Sequence, residues 1–77
     1  MDNPSVKLFF GNRVRELRKA RGWSQEEFAL HVGLDRSYVG GVERGERNIS
    51  LENICLIATT LQIPPAKLFE GWNPSES

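Results

Sequence analysis

The chain has 77 residues, of which 39% are apolar and 26% charged, and its formal net charge is zero. This length allows one domain with a small core, which dimerisation would help to stabilise. A single cysteine and a single histidine exclude an intramolecular disulfide and a structural zinc site, and no apolar run reaches the roughly 18 residues that a membrane span needs.

The N-terminal residues MDNPSV lack the basic region and apolar run of a signal peptide, so we expect a cytoplasmic protein. A first helix is predicted from about Ser5 to Arg21, and Gly22 ends it. Its inward stripe has helical spacing and consists of Val6, Phe10, Val14 and Leu17.

Charge is unevenly distributed along the neutral chain. The first 23 residues hold six basic and two acidic side chains, so the remaining residues carry the opposite excess. A folded domain would then present one basic and one acidic face, as many proteins that bind nucleic acids do. The other interpretation, that these charges only solvate helix surfaces, stays open, and charge is therefore supporting evidence only.

The segment from Ser24 to Gly33 predicts a second helix. Ser24 and Glu27 have the spacing of a capping box, in which each side chain accepts a hydrogen bond from the other residue's backbone amide, so the helix should begin at Gln25. Gly33 ends it, because glycine adopts the left-handed conformation at no steric cost. The apolar stripe between them consists of Phe28, Ala29 and Val32.

A third helix follows after a short turn. Asp35 is a good N-cap, Arg36 occupies the first helical position, and Gly45 ends the helix. Val39 and Val42 are predicted to face inward. Two helices of about eight to ten residues joined by a short turn that contains glycine form the helix-turn-helix signature, and the second of them is built to lie in a DNA groove.

Two further helices complete the prediction. Ser50 is the next N-cap, and the fourth helix runs from about Leu51 to Leu61. Its inward face is predicted to consist of Leu51, Ile54, Ile57, Ala58 and Leu61. Pro65 suits the first turn of a last helix, which ends at about Phe69 or Glu70.

The stretch GWSQEEFALHVGLDRSYVGGVERGER resembles the DNA-binding core of the Cro- and phage-repressor-like (Xre-type) regulators, and LDRSYVGGVERGERN is especially similar to the controller proteins of restriction–modification systems. The similarity runs from about Phe10 to Phe69. It implies an all-α, compact, lambda-repressor-like domain of five helices that binds DNA and dimerises. We expect that domain to comprise residues 5–71, between a flexible N-terminus of residues 1–4 and a flexible tail of residues 72–77.

The resemblance implies that positions 1, 2 and 6 of the third helix, here Arg36, Ser37 and Gly41, reach base edges. Arg36 is suited to a bidentate contact with guanine, worth about 1–3 kcal/mol of discrimination, whereas a serine hydroxyl serves any base. Tyr38 is expected to pack on a thymine methyl group or to bond a phosphate, with partial burial in the core as the alternative. Because Gly41 has no side chain, part of the specificity is expected to come from DNA shape.

Gly40 and Gly41 are unusual in so short a helix, since each costs about 0.8–1.0 kcal/mol relative to alanine. They make sense if the helix backbone approaches base edges or sugar-phosphate closely. The alternative, that they only relieve crowding against the first or fourth helix, stays open.

Four residues are predicted to contact DNA phosphates. Gln25 begins the second helix, where free backbone amides and the helix dipole favour an anion, and the family uses its matching glutamine there. Arg44, Arg47 and Asn48 follow the third helix in a loop, and such loops commonly run along the DNA backbone. Glu46 in the same loop would repel phosphate, so it should point away.

The resemblance also implies a structural ion pair. In regulators of this type, an arginine four residues before the glycine of the first turn pairs with a glutamate near the end of the recognition helix. The matching residues are Arg18 and Glu43. We expect this pair to fix the recognition helix and not to read DNA.

Regulators of this fold bind as two-fold dimers, with half-sites about one helical turn apart. The predicted dimer surface lies at the end away from the DNA and consists of Leu61, Ile63, Leu68, Phe69 and Trp72. The alternative, that Leu68 and Phe69 only close the core of the monomer, stays open, and the two roles can coexist.

The expected function is that of a sequence-specific, double-stranded DNA-binding transcriptional regulator, acting as a homodimer on a palindromic or pseudo-palindromic operator. We expect no enzyme activity, metal or cofactor, and no membrane or small-molecule partner is evident. Two alternatives use the same fold: an antitoxin that also binds a toxin, and a protein-interaction module that has lost DNA binding. The short polar tail argues against the first, and the set of Gln25, Arg36, Arg47 and Asn48 argues against the second.

Overall fold

Four α-helices and one short 3₁₀ helix make up the described part of the chain, residues 4–74 of a computed structural model. The helices are α1 (Pro4–Ala20), α2 (Gln25–Val32), α3 (Arg36–Glu43) and α4 (Leu51–Leu61), followed by the 3₁₀ helix Pro65–Phe69. Since no strand occurs within residues 4–74, the predicted all-helical class is confirmed. In the same range no helix is both long and apolar enough to cross a membrane.

The helix starts follow the caps that the sequence predicts. The Ser24 hydroxyl accepts a hydrogen bond from the Glu27 amide at 3.0 Å, and the Glu27 carboxylate accepts one from the Ser24 amide at 2.7 Å. This second bond is the main reason that the pKa of Glu27 lies below its usual value. Gly33 ends α2 at φ 82°, and Ser50 caps α4 by accepting from the Asn53 amide at 3.1 Å.

The predicted fifth α-helix needs a correction, because residues Pro65–Phe69 form a 3₁₀ helix. Pro65, the first residue of this five-residue segment, and Pro64, which precedes it, both lack a backbone N–H. The Lys67 amide donates to the Pro64 carbonyl at 3.0 Å, an i to i+3 connection, and runs as short as this one are typical of 3₁₀ helices. The remaining four helices begin and end within one residue of their predicted bounds, apart from the end of α3, which stops two residues before Gly45.

The core lies between α1, the helix-turn-helix pair and α4. Phe10 and Val14 of the predicted α1 stripe are buried, and Val6 and Leu17 are half-buried. Leu51, by contrast, was predicted to face inward and is 80% exposed, because it lies at the first helical position of α4, on the outer side. The buried apolar side chains are Phe10, Val14, Phe28, Ala29, Val32, Val39, Val42, Ile57, Ala58, Leu61 and Leu68.

α1 approaches the backbone of α3 closely at Gly11, a residue that was not among the predicted site or core residues. A Cβ atom on Gly11 would lie 2.7 Å from the carbonyl oxygen of Glu43 and 2.9 Å from its carbonyl carbon. Both neighbours belong to the backbone of α3, so they cannot move aside as a flexible side chain would. The absence of a side chain at Gly11 therefore sets how near α1 comes to the end of α3.

The C-terminal segment returns to α1. The Trp72 ring lies 5.6 Å from the ring of Phe9, centroid to centroid, and the Phe69 ring lies 5.3 Å from that of Phe10. Trp72 belongs to the segment 72–77 that was expected to be a flexible tail. Residues 1–3 and 75–77 of the two expected flexible ends lie outside the described residues.

Substitution Gly11→Ala should lower the free energy of unfolding by about 1–3 kcal/mol, because the added methyl group forces α1 away from the backbone of α3. Urea unfolding followed by circular dichroism measures this loss. The matched control is Asn12→Ala, an exposed neighbour on the same helix, which should unfold at the wild-type urea concentration or slightly above it. Equal midpoints for Gly11→Ala and the wild type would contradict the close approach.

Candidate nucleic-acid interface

A buried ion pair fixes the end of α3 to α1. Arg18 donates from Nε to one carboxylate oxygen of Glu43 at 2.7 Å and from Nη2 to the other at 3.0 Å. Arg18 is 8% exposed and Glu43 is 2% exposed. The remaining guanidinium nitrogen of Arg18 donates to the carbonyl oxygen of Trp23 at 2.8 Å, which adds the turn between α1 and α2 to the same network.

Gln25 also belongs to this network. Its side-chain nitrogen donates to Oε1 of Glu43 at 3.0 Å, and the Nε atom of Arg15 lies 3.7 Å from the same oxygen. The predicted phosphate contact of Gln25 must therefore use the second hydrogen of its amide group, since the first is taken by Glu43. The network also orients that amide group at the start of α2.

At the N-terminus of α3, Asp35 accepts a hydrogen bond from the Ser37 amide at 2.9 Å and a second from the Ser37 hydroxyl. The hydroxyl bond, followed by the amide bond, holds the pKa of Asp35 below its usual value. Arg36, between them, is exposed and makes no side-chain hydrogen bond or ion pair with residues 4–74. Of the two residues predicted to read bases here, Arg36 is thus unengaged and Ser37 is already bonded.

Tyr38 is half-buried against the core, and its hydroxyl oxygen accepts a hydrogen bond from the Asn53 amide group on α4 at 3.2 Å. The guanidinium carbon of Arg47 lies 5.2 Å from the centroid of the Tyr38 ring, a cation–π distance. The Tyr38 ring is thus fixed by Asn53 at its hydroxyl group and by Arg47 over its face. Its hydroxyl proton stays available to an acceptor such as a phosphate oxygen.

The two glycines of α3 face polar side chains. A Cβ atom on Gly40 would lie 3.0 Å from Nη1 of Arg44 and 3.3 Å from Oε1 of Gln25. A Cβ atom on Gly41 would lie 3.0 Å from both Cγ and Nε of Arg47. At each glycine the three atoms nearest to such a Cβ belong to Gln25, Arg44 or Arg47, and none of them belongs to α1 or α4. Each one makes room for an arginine that follows α3 in the chain.

The loop after α3 carries exposed polar residues. Nε of Arg44 lies 3.1 Å from a carboxylate oxygen of Glu46, and both side chains are more than half exposed. Glu46 was expected to point away from phosphates. In the structure its carboxylate is directed to the guanidinium of Arg44. Asn48 is exposed in the same loop. Among residues 4–74 no group of three or more His, Cys, Asp or Glu side chains is arranged to hold a metal ion.

The predicted dimer surface needs a correction at two residues. Leu61 is 2% exposed and Leu68 is 0% exposed, so both belong to the core of the monomer and have no surface left for a partner. Ile63, Phe69 and Trp72 are half-buried. The outer face of α4 exposes Leu51 at 80% and Leu56 at 45%, with the exposed Cys55 between them.

A sequence model of the family described as helix-turn-helix matches residues 14–68, which include α2, α3 and α4. The chain belongs to the Xre-type helix-turn-helix family. The predicted resemblance is therefore confirmed, and the relatives include the controller proteins that it named.

Control protein C.MunI from a Mycoplasma species is 43% identical over 65 residues, which cover 83% of this chain and 88% of the relative. The crystal structure of the restriction–modification controller protein C.AhdI from Aeromonas hydrophila is similar with a TM-score of 0.82 and 60% identity, covering 84% of this chain and 98% of that one. The controller protein C.Esp1396I, solved as a tetramer in complex with its natural 35-base-pair operator, has a TM-score of 0.76 and 29% identity, covering 84% and 86% of the two chains.

Substitution Glu43→Gln should lower the free energy of unfolding by about 3–5 kcal/mol, because it leaves the buried guanidinium of Arg18 without its counter-charge. The matched control is Glu46→Gln, which breaks only the exposed pair with Arg44 and should change stability by less than about 1 kcal/mol. Urea unfolding of both variants measures the difference. A small, equal change in the two variants would contradict the anchoring role of the Arg18–Glu43 pair.

Proposed function

We propose that this chain is a sequence-specific, double-stranded DNA-binding transcriptional regulator of the controller type. The observation that carries the proposal is the outer side of α3, where an unengaged arginine and a serine stand at the N-terminus and two further arginines lie beside the glycines. The operator complex of the relative C.Esp1396I supports the same role for this chain. We assign the DNA-binding and dimerisation domain to residues 5–71, with a lambda-repressor-like arrangement in which the 3₁₀ helix takes the place of a fifth α-helix.

In this proposal α3 lies in the major groove and its N-terminus reads bases. The side chain of Arg36 is exposed and has no competing partner among residues 4–74, so it is able to place two donors against O6 and N7 of one guanine. Ser37 must exchange its bond with Asp35 for a base contact, which limits its contribution. Specificity therefore depends on Arg36 more than on Ser37.

Phosphate contacts flank α3 on both sides. On the entry side, the N-terminus of α2 offers backbone amides together with the oriented amide group of Gln25. On the exit side, the loop after α3 offers Arg44, Arg47 and Asn48. Such contacts fix the position of the helix on the duplex, and they make the affinity fall as salt concentration rises.

The Arg18–Glu43 pair acts as a positioning element in this proposal. The pair is buried, so it has no access to DNA. It fixes the C-terminal end of α3 to α1 and thereby the orientation of α3 on the domain. A recognition helix that is already fixed in the free protein does not have to be ordered on binding. The pair thus contributes to affinity without touching the operator.

We propose that a second copy of the chain is the protein partner and that the regulator acts as a homodimer on a pseudo-palindromic operator. A two-fold dimer places one α3 in each of two half-sites, about one helical turn apart. The outer face of α4, formed by Leu51, Cys55 and Leu56, presents more free apolar surface than the predicted C-terminal set. Exposed apolar patches of this kind mark interaction sites, and we therefore place the dimer contact there.

Regulation follows from occupancy. A bound dimer blocks RNA polymerase when it covers the promoter and assists it when it binds upstream, and protein concentration and dimerisation set which operators are filled. This role requires neither catalysis nor a cofactor, and it is carried out in the cytoplasm, where the operator lies.

The DNA-binding proposal is tested with duplexes selected by the protein from a random pool, followed by fluorescence anisotropy at two salt concentrations. The wild type should enrich one sequence and bind it better than a scrambled duplex, and Arg36→Ala should reduce that preference by about tenfold to a hundredfold. Lys67→Ala, which removes one exposed positive charge on the 3₁₀ helix, should keep the preference. If no sequence is enriched, the chain is a protein-interaction module that has lost DNA binding and the proposal is wrong.

The dimer contact is tested by sedimentation equilibrium of Leu51→Glu. The introduced carboxylate should weaken self-association by at least about tenfold, because it must be desolvated in an apolar contact. Leu30→Glu is the matched control, since Leu30 is equally exposed, at 81%, but lies on α2. Wild-type association of Leu51→Glu, together with loss of association in Trp72→Ala, would restore the C-terminal surface as the contact.

A further inference from the structure

A cavity of about 140 Å³ lies beside the loop that joins α3 to α4. Phe10 of α1 lines it, together with Asn48 and Ile49 of the loop. Ile54 of α4 and Phe69 of the 3₁₀ helix complete its walls. The cavity therefore lies where the loop that we expect to contact DNA meets the C-terminal segment of the chain.

The walls of the cavity are mostly apolar. The apolar side chains among them are Val6, Phe10, Val42, Ile49, Ile54 and Phe69. Ile49, Ile54 and Phe69 are only half-buried, so they keep apolar surface that water can reach. An apolar group in the cavity would cover that surface and release the water, which favours binding.

The volume of the cavity limits the size of such a group. An apolar cavity of about 150 Å³ holds one benzene molecule, so this one admits a single ring of that size. Phe10 and Phe69 already pair at the wall, with ring centroids 5.3 Å apart. A third aromatic ring beside them would extend this pair, because aromatic rings attract one another at such distances. An aromatic ring therefore fits the cavity better than an aliphatic chain.

The charged side chains at the cavity are positive. Lys7 and Arg47 belong to its lining, and within the described residues no aspartate or glutamate does. Arg47 is exposed, its guanidinium lies over the Tyr38 ring, and it forms no ion pair with residues 4–74. Such stacking leaves the N–H donors at the edge of the guanidinium, where a carboxylate accepts two of them in parallel. The lining therefore combines space for a ring with a partner for an anion.

We propose that this cavity is a binding site for a single-ring aromatic carboxylate. The ring lies between Phe10, Ile49 and Phe69, and the carboxylate pairs with the guanidinium of Arg47. No small-molecule partner was evident from the sequence, because the lining residues are spread along the chain from Val6 to Phe69.

Occupancy of this site should weaken DNA binding. This consequence rests on the DNA-binding function proposed above, in which the loop residues Arg47 and Asn48 contact the duplex. A carboxylate on Arg47 takes the donors that DNA would otherwise use, so the ligand and the duplex compete for one side chain. The regulator would then leave its operator when the carboxylate accumulates, and DNA would weaken binding of the ligand by the same factor.

The site is tested first without DNA, by an NMR titration of the isotope-labelled protein with benzoate. The backbone amide signals of Ile49 and Phe69 should shift and saturate, with a Kd of roughly 0.1–1 mM for a ligand of so few atoms. Benzyl alcohol, which has the same ring but no charge, should bind about tenfold more weakly, because it lacks the paired hydrogen bonds to the guanidinium. The absence of a saturable shift with benzoate would overturn the proposal.

Ile49→Phe tests the place of the ring. The larger side chain fills the cavity, so this variant should bind neither compound measurably while it keeps the circular dichroism spectrum of the wild type. The matched control is Ile63→Phe, which enlarges a half-buried isoleucine outside the lining and should bind benzoate as the wild type does. Unchanged binding by folded Ile49→Phe would put the ligand elsewhere and overturn the proposal.

Arg47→Gln tests the carboxylate contact, and it changes an exposed residue, so the core stays intact. This variant should bind benzoate and benzyl alcohol with similar affinity, because it has lost the positive charge that favours the carboxylate. Arg44→Gln, which changes an exposed arginine outside the lining, should keep the wild-type preference for benzoate. A wild-type preference in Arg47→Gln as well would contradict the proposed pairing.

The competition is tested by fluorescence anisotropy with the duplex that the wild type selects. Saturating sodium benzoate should lower the affinity for DNA by about tenfold relative to sodium acetate at the same concentration, which controls for salt. Ile49→Phe should respond to the two salts alike. Equal DNA affinity of the wild type in both salts would overturn the competition. Failure of the wild type to select any duplex is a separate outcome, because it removes the DNA-binding function and leaves the NMR titration unaffected.

Discussion

The carboxylate of Glu43 is the group on which the arrangement of this domain depends. It is a negative charge in the last turn of a helix, where the helix dipole disfavours it, and it is almost fully buried, where desolvation disfavours it further. The bidentate bond from Arg18, with Gln25 and Arg15 at the same carboxylate, offsets both effects. Any movement of α3 away from α1 would separate this charge from both arginines of α1, so the two helices keep one relative position.

The recognition helix, α3, is thus anchored to the core on its inner side and covered by side chains of the following loop on its outer side. Its inner side is anchored by the Glu43 carboxylate and by the close approach of α1 at Gly11. Its outer side contains two glycines, and the side chains above them come from Arg44 and Arg47 in the following loop. Eight residues with two glycines would form little helix in isolation. The surface presented to DNA is therefore a product of tertiary contacts more than of the local sequence of α3.

Much of the fold was predictable because it is encoded locally. The caps at Ser24, Asp35 and Ser50 bond amides two or three residues away, so spacing alone is sufficient to find them. The pairing of two distant charges at the end of α3 came from the family resemblance, since no periodicity links positions 25 residues apart. Features that depend on packing between distant segments were missed. These are the backbone contact at Gly11, the outer position of Leu51, the 3₁₀ geometry after two prolines and the place of Arg47 on α3.

The long side chains on the outer side of α3 have a thermodynamic consequence. A free arginine samples many rotamers, and immobilising it costs about 2 kcal/mol of conformational entropy. Here Arg47 rests on a tyrosine ring and Arg44 is paired with a carboxylate before any duplex arrives. Part of their rotamer freedom is therefore lost during folding and not during association. The entropy of binding should accordingly be less unfavourable than the number of arginines at the surface suggests.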